Sequence, residues 1–245
     1  MSIYGFVTVR LGSSRLPKKC LLPFGEGNVL EHIIRRAKHF GFKPIVCTTT
    51  LKEDDAIVKI AEQEDCLFYR GSAKDKMKRW LNACDKFGVE AYHTIDADDP
   101  FFDGELGKES FKLLKKGYDI VHPSSKMYVG GVGYSLTADI IRRACAIKQS
   151  NDTEMMWYYV EKVPGVRQTE LEVPAKTAKI RLTLDYQEDY WLLCSVLRTL
   201  GPNAGWKEVE DLFVRNPDLY LVNWFRNEQW KNNQIAKGKT TKVSI

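Results

Sequence analysis

Ile3-Tyr4-Gly5-Phe6-Val7-Thr8-Val9-Arg10-Leu11-Gly12-Ser13-Ser14-Arg15-Leu16-Pro17-Lys18-Lys19 is the stretch on which the reading of this chain turns. Its first half, Ile3 to Val9, is an apolar run that reads as the opening strand of an α/β fold. The segment leaving that strand combines a glycine, two serine hydroxyls and four cations. A loop of that make-up at the end of a buried strand suits a polyphosphate. Gly12 lets the backbone approach a ligand, and Ser13, Ser14 and the loop N–H groups offer hydrogen bonds to phosphate oxygens. Arg10, Arg15 and Lys19 supply charge, the arginines as planar forks that engage two oxygens at once. The G-x-x-x-x-G-K-[ST] spacing of a Walker A loop is absent. The competing reading is an exposed basic turn, with Arg15 and Lys19 both in a polar surface loop.

Outward from this stretch, helix and strand patterns alternate. Leu30, Ile33, Ile34, Ala37 and Phe40 recur at helical spacing and Gly41 closes the helix. Strands are expected at Pro44 to Thr49, Cys66 to Tyr69, Ala91 to Ile95 and Asp119 to His122. Helices are expected over Asp54 to Gln63, around Met77 to Cys84 before Gly88, and through Phe111 and Leu114. Such βαβ units build a mostly parallel sheet, and ligands then sit outside the carboxyl ends of the strands. Arg10, Thr49, Arg70 and Asp98 all fall at those ends. The regularity breaks at Ser124 to Gly133, where Gly130, Gly131 and Gly133 call for special backbone angles or a close approach. Asn151 to Pro174 then reads as an aromatic helix (Met155 to Tyr159) followed by a strand. This insertion, about 124–175, either covers an acceptor pocket or builds a contact in a homodimer. The sheet is expected to resume at Ile180 to Leu184. One domain spans 1–231, and 232–245 reads as a basic, polar tail with no assigned role.

Composition narrows the function. The 245 residues bury enough surface to be stable without disulfide or metal. The balance of 37 basic to 32 acidic residues, a net +5, fits a pocket for a small anion and does not call for nucleic acid. Six cysteines are scattered without a C-x-x-C pair, which argues against structural zinc. No apolar run is long enough for a membrane span and no secretory signal is visible, so the expected location is cytoplasmic.

Asp98 and Asp185 each close an expected strand. Two carboxylates at one edge, facing a cationic loop, are the donors that Mg²⁺ takes together with water and phosphate oxygens. The bland alternative for Asp96-Ala97-Asp98-Asp99-Pro100 is a solvated acidic turn.

These residues resemble the cytidylyltransferases that make CMP-activated sugars, among them CMP-Kdo synthetase, CMP-sialate synthetase and, most closely, the spore-coat polysaccharide type. Their R-x-x-S-S-R-L-P-x-K motif is matched by Arg10, Ser13, Ser14, Arg15, Leu16, Pro17 and Lys19. Leu21 to Gly25 with Leu30-Glu31-His32, Thr48-Thr49-Thr50 with Asp54 to Ile57, and Phe68 to Ser72 are also similar to theirs. Ala97-Asp98-Asp99-Pro100 stands for G-D-x-P, and Thr183 to Asp189 for T-x-D-x-x-E-D. Ala97 replaces a glycine, and Lys18 makes the loop more basic. Gly131 is followed by Ser135 where an acidic residue is usual, and Glu154-Met155-Met156 replaces an E-H-V segment, so the acceptor end is remodelled.

The resemblance implies a Rossmann-like, mostly parallel sheet of the nucleotide-diphospho-sugar transferase type. It implies transfer of CMP from CTP to a small acceptor, such as a sugar acid or phosphosugar, with release of pyrophosphate. Arg10, Arg15 and Lys19 would bind the β- and γ-phosphates, Asp98 and Asp185 would hold Mg²⁺, and Thr49, Thr50 and Arg70 would contact base or ribose. Two rivals stand beside this reading. One is a glycosyltransferase using Asp96-x-Asp98 on a nucleotide sugar, the other a non-catalytic nucleotide-binding regulator.

Overall fold

The computed structural model describes residues 3–175 and 179–238. β1 (Ile3–Thr8) feeds the basic loop, which ends in a 3-10 turn at Lys19–Leu21. A small hairpin, β2 (Pro23–Phe24) and β3 (Gly27–Asn28), leads into α1 (Val29–His39). Then follow β4 (Phe42–Thr49), α2 (Asp55–Gln63), β5 (Leu67–Gly71), α3 (Lys76–Phe87), β6 (Ala91–Asp96), α4 (Gly104–Leu114), β7 (Ile120–His122) and β8 (Ser135–Thr137). The chain continues through α5 (Ala138–Ile147), the one-turn α6 (Trp157–Val160), β9 (Gln168–Glu170), α7 (Gln187–Leu200), α8 (Trp206–Arg215) and α9 (Arg226–Gly238).

Local signals explain where the helices begin and end. Asn28 accepts the Glu31 N–H while Glu31 takes the Asn28 N–H, a reciprocal cap that starts α1. Asp75 and Asp103 cap α3 and α4 in the same one-sided way, and Gly88 ends α3 in the left-handed region.

The sheet has the order β5-β4-β1-β6-β8-β7-β9, and only β8 runs against the rest. Neighbouring residues of β1 serve opposite faces, as the two-residue period requires. Val7 packs with Ile33 and Ile34 of α1, whereas Phe6 packs with Trp80 of α3 and Ile141 of α5. The four parallel strands β5, β4, β1 and β6 deliver Gly71, Thr49, Thr8 and Asp96 to one edge.

Two expectations are corrected. Ile180 to Leu184 forms no strand. It runs beside 127–131, joined by an isolated parallel bridge between Val129 and Arg181. The glycines explain this packing. Gly130 has φ +87°, and a Cβ there would stand 2.7 Å from the Leu182 carbonyl oxygen. At Gly133 a Cβ would stand 2.0 Å from the Thr94 carbonyl oxygen. The aromatic segment is also mostly non-helical. Only Trp157–Val160 turns, because residues 148–156 are drawn onto α3 by side-chain bonds rather than by their own ladder. At the other end of the chain, α9 extends through Gly238, past position 231 where the sequence reading starts a tail.

Candidate active site

A cleft of about 720 Å³ opens at the carboxyl edge of the parallel strands. The basic loop forms one wall through Arg10, Gly12, Ser13, Ser14, Arg15 and Lys19. Asp96, Asp98, Asp99, Thr183 and Asp185 form the floor, and 123–134 with Glu154, Met155 and Trp157 form the far wall.

Lys19 is the hinge of the arrangement. Lys18 adopts left-handed angles (φ 54°) and the 3-10 turn after it carries the Lys19 side chain inward. The exposed surface turn expected for Lys19 is therefore corrected: only 9% of its side chain is exposed. Its ammonium donates to Asp98 Oδ2 at 2.7 Å, Asp185 Oδ1 at 2.8 Å and the Leu184 carbonyl at 2.6 Å. One amine thus ties the two carboxylates together. Arg15 reaches the same Asp185 Oδ1 at 2.5 Å while keeping 26% of its side chain open.

Asp185 is held from beneath as well. Arg181, completely buried, donates to Asp185 Oδ2 at 3.4 Å and grips Asp189 through two nitrogens at 2.9 and 3.1 Å. Asp189, at the third position of α7, accepts the N–H groups of Asp185 and Tyr186, both at 2.9 Å. Asn223 closes this layer by donating to Asp189 Oδ1 and the Arg181 carbonyl.

The charges set one another's protonation. Burial disfavours the Lys19 ammonium, but Asp98 and Asp185 outweigh it and hold its pKa above the ordinary lysine value. Burial also works against the Asp185 carboxylate, yet Lys19, Arg15 and Arg181 bring it down to about 2. Asp98 keeps 39% of its side chain open to the cleft. The surrounding protein nevertheless pushes its carboxyl up to about 6 against the pull of Lys19, and the nearby Asp185 charge adds to the rise. Asp185 is the fixed anion of the pair and Asp98 the adjustable one.

Arg10 stands at the mouth, donating to Glu154 at 3.1 Å and to the Ala73 carbonyl at 3.1 Å. Thr49, Thr50 and Arg70 do not line the cleft. The Thr49 hydroxyl donates to Asp54, which in turn accepts the Leu11 N–H at 2.8 Å and so braces the basic loop. Arg70 is spent on the Thr49 and Leu51 carbonyls and on Asp55. The cleft also recruits residues the sequence reading passed over: Lys76, Arg79, Tyr134, Trp230 and Asn233. Arg181 is visible in the alternating run before Asp185, but nothing in the order of residues brings Trp230 over Arg181.

Among the described residues no group of three or more His, Cys, Asp or Glu side chains is assembled for a metal. Asp98 and Asp185 provide a pair of hard oxygen donors beside the basic loop. That donor set fits Mg²⁺, which takes one or two carboxylates and completes its shell with water and phosphate.

The profile of the family described as "Cytidylyltransferase" matches residues 5–188, three quarters of the chain and every residue of the charged floor. The chain belongs to the cytidylyltransferase family. It is 31% identical to the protein MJ1063 of Methanocaldococcus jannaschii over 91% of this chain and 95% of that one. It is 24% identical to the spore coat polysaccharide biosynthesis protein SpsF of Bacillus subtilis, over 86% and 94%. A solved cytidylyltransferase from Leptospira borgpetersenii superposes with a TM-score of 0.83 at 23% identity, covering 90% of this chain and 97% of that one. The fold and the enzyme class of the sequence reading therefore stand, and the chain is a nucleotidyltransferase.

Within this cytidylyltransferase the far wall of the cleft departs from the motif pattern of the resemblance in a way the structure explains. Ser135, at the position where an acidic residue is usual, lies in β8. It is sealed from the cleft between His93 and Ser110, bonded to both. The wall is instead built from Tyr134 and Trp157, whose rings stack nearly parallel with centroids 5.9 Å apart, and from Met127 and Met155.

Proposed function

We propose that this enzyme transfers CMP from CTP to an oxygen of a small acceptor and releases pyrophosphate. The acceptor is a sugar acid, a phosphosugar or a related compound destined for a surface polysaccharide or glycan. The observation that carries this reading is the Lys19 ammonium shared between Asp98 and Asp185 at the floor of a cleft walled by Arg10, Ser13, Ser14 and Arg15.

The reaction is an in-line attack of the acceptor oxygen on the α-phosphorus, so positioning and charge neutralisation carry the catalysis. Arg15 and Lys19 serve the departing pyrophosphate. Lys19 is suited to this because the two carboxylates hold it protonated well beyond neutral pH. Ser13, Ser14 and the Gly12 backbone line the path of the phosphates, and Arg10 joins them at the mouth. Asp98 and Asp185 would hold Mg²⁺, which when bound would supply neutralisation of phosphate charge. Arg181 and Asp189 keep the Asp185 loop in place throughout.

The test is pyrophosphate release from each of the four ribonucleoside triphosphates, with Mg²⁺ and a panel of sugar acids, phosphosugars and phosphonates. Release with CTP and a subset of acceptors supports the reading. Equal release from all four triphosphates removes the cytidylyl assignment. Acceptor-dependent turnover of a nucleotide sugar, without triphosphate, replaces it with sugar transfer.

A further inference from the structure

Helix α9 lies beyond residues 5–188, where the family profile ends, yet two of its side chains line the cleft. Trp230 sets its ring 5.5 Å from the guanidinium of Arg181. Arg181 is fully buried, and its Nη1 has no hydrogen-bond partner among the described residues; the Trp230 indole and, at 5.8 Å, the Tyr186 ring together cover that cation. Asn233, one turn on from Trp230, points its amide nitrogen at the Tyr186 hydroxyl, 3.4 Å away. The same Tyr186 ring receives Arg15 at 5.5 Å and Arg226, from the first turn of α9, at 4.9 Å. Arg226 also pairs with Glu188 at 2.9 Å, and Asn223 just before the helix binds Asp189. The helix is therefore pinned to the Asp185–Asp189 loop at several points, and its Trp230 and Asn233 line the same cleft as Arg15.

We propose that α9 is a working wall of the phosphate site, with Trp230 and Asn233 contributing to the pocket that holds the pyrophosphate part of the substrate. This rests on the reading of Arg15 and Lys19 as the polyphosphate end of the cleft. Asn233 offers a neutral amide donor at the hydroxyl of the Tyr186 ring that Arg15 also approaches, suited to an oxygen of an anion that Arg15 and Lys19 attract. Trp230 keeps Arg181 shielded, so that its charge is spent on Asp185 and Asp189 rather than on water.

A charge scan at Asn233 tests the proposal, with inorganic pyrophosphate and Mg²⁺ as the probe and calorimetry as the readout. Asn233→Asp should weaken pyrophosphate binding about tenfold and Asn233→Lys should tighten it several-fold, as a unit charge a few ångströms from a polyanion requires. Both variants should keep the unfolding temperature of the parent, because the side chain is only partly buried at the cleft wall. A merely structural role for Asn233 would move both variants the same way or neither. Either result overturns the proposal, and so does failure of the parent protein to bind pyrophosphate. A lack of preference for CTP would defeat the cytidylyl assignment but not this one, since pyrophosphate carries no base.

Discussion

The Asp75 carboxylate and the Lys148 ammonium meet at 2.6 Å with 7% and 10% of their side chains exposed. Asp75 also caps α3 through the Lys78 N–H and accepts the Thr153 hydroxyl, while Thr153 accepts the Met77 N–H. The 148–153 segment is thereby docked on the start of α3. Glu154, the next residue, reaches Arg10 at the mouth of the cleft. The far wall and the basic loop are mechanically connected through this junction.

Lys148→Met should show the connection. Removing one partner of a nearly buried pair costs about 3 kcal/mol, or roughly 6–12 °C in a chain of this size. Lys148→Arg should recover most of it. The kinetic signature is a KM for the acceptor raised more than the KM for CTP. An acceptor KM that stays at the parent value at permissive temperature would limit the pair to a stabilising role.

Lys19 and Arg15 should part company on mutation, although both are proposed to serve the same phosphates. Arg15→Ala removes a charge-assisted contact from a part-exposed side chain, raising the barrier by about 1.5–3 kcal/mol with the unfolding temperature nearly unchanged. Lys19→Ala leaves Asp98 and Asp185 facing each other without their shared cation, so both turnover and thermal stability should fall. Equal stability of the two variants in thermal unfolding would contradict the burial argument.

Aspartate-to-asparagine changes separate the floor into its parts. Asp98→Asn should abolish turnover and preserve the fold. Asp185→Asn should abolish turnover and also lower stability, because Lys19, Arg15 and Arg181 lose their common anion. Asp96, exposed at the end of β6 and outside this ion-pair network, should tolerate the same change far better. Loss of activity in Asp96→Asn with retention in Asp185→Asn would favour the glycosyltransferase reading.

The parts legible in the sequence are those governed by local pattern. The apolar run Ile3 to Val9, the reciprocal cap Asn28/Glu31 and the stop at Gly88 follow from neighbours a few residues apart, and the parallel half of the sheet follows from them. The burial of Lys19 is not legible in the sequence, because its three acceptors come from Asp98, Leu184 and Asp185. Thr49 and Arg70 sit at strand ends as expected, yet a competing set of local partners, Asp54, Asp55 and the Leu51 carbonyl, takes them out of the cleft. Ile180 to Leu184 alternates like a strand but spends its backbone on 127–131 and on the Asp98 carbonyl. For Lys19 and for Ile180 to Leu184, contacts of long sequence separation decide the outcome.

Acid should weaken the fold through two neutral histidines. His32 donates from Nε2 to the Pro100 carbonyl at 2.9 Å, bracing the turn that carries Asp98 against α1. Burial lowers its pKa to about 4 from an ordinary 6.5, and burial takes His93 to about 3. Below pH 6.5 the unfolded chain therefore takes up protons that the folded chain refuses. Their contribution is fully present above that pH and is lost as pH falls toward about 4 for His32 and about 3 for His93. For His32 the loss is on the order of 3 kcal/mol. Denaturant midpoints between pH 7 and 4 should fall less steeply in His32→Gln than in the parent, and parallel slopes would exclude His32 as the source.

The central claim is that the bond broken lies between the α- and β-phosphates of CTP. The most direct measurement uses CTP labelled in turn at the α- and γ-phosphorus, with an accepted acceptor and Mg²⁺. The α-label should appear in the acceptor while the γ-label leaves as pyrophosphate, one for one. Recovery of the γ-label as orthophosphate or in the acceptor, with the α-label retained in CDP, would contradict it.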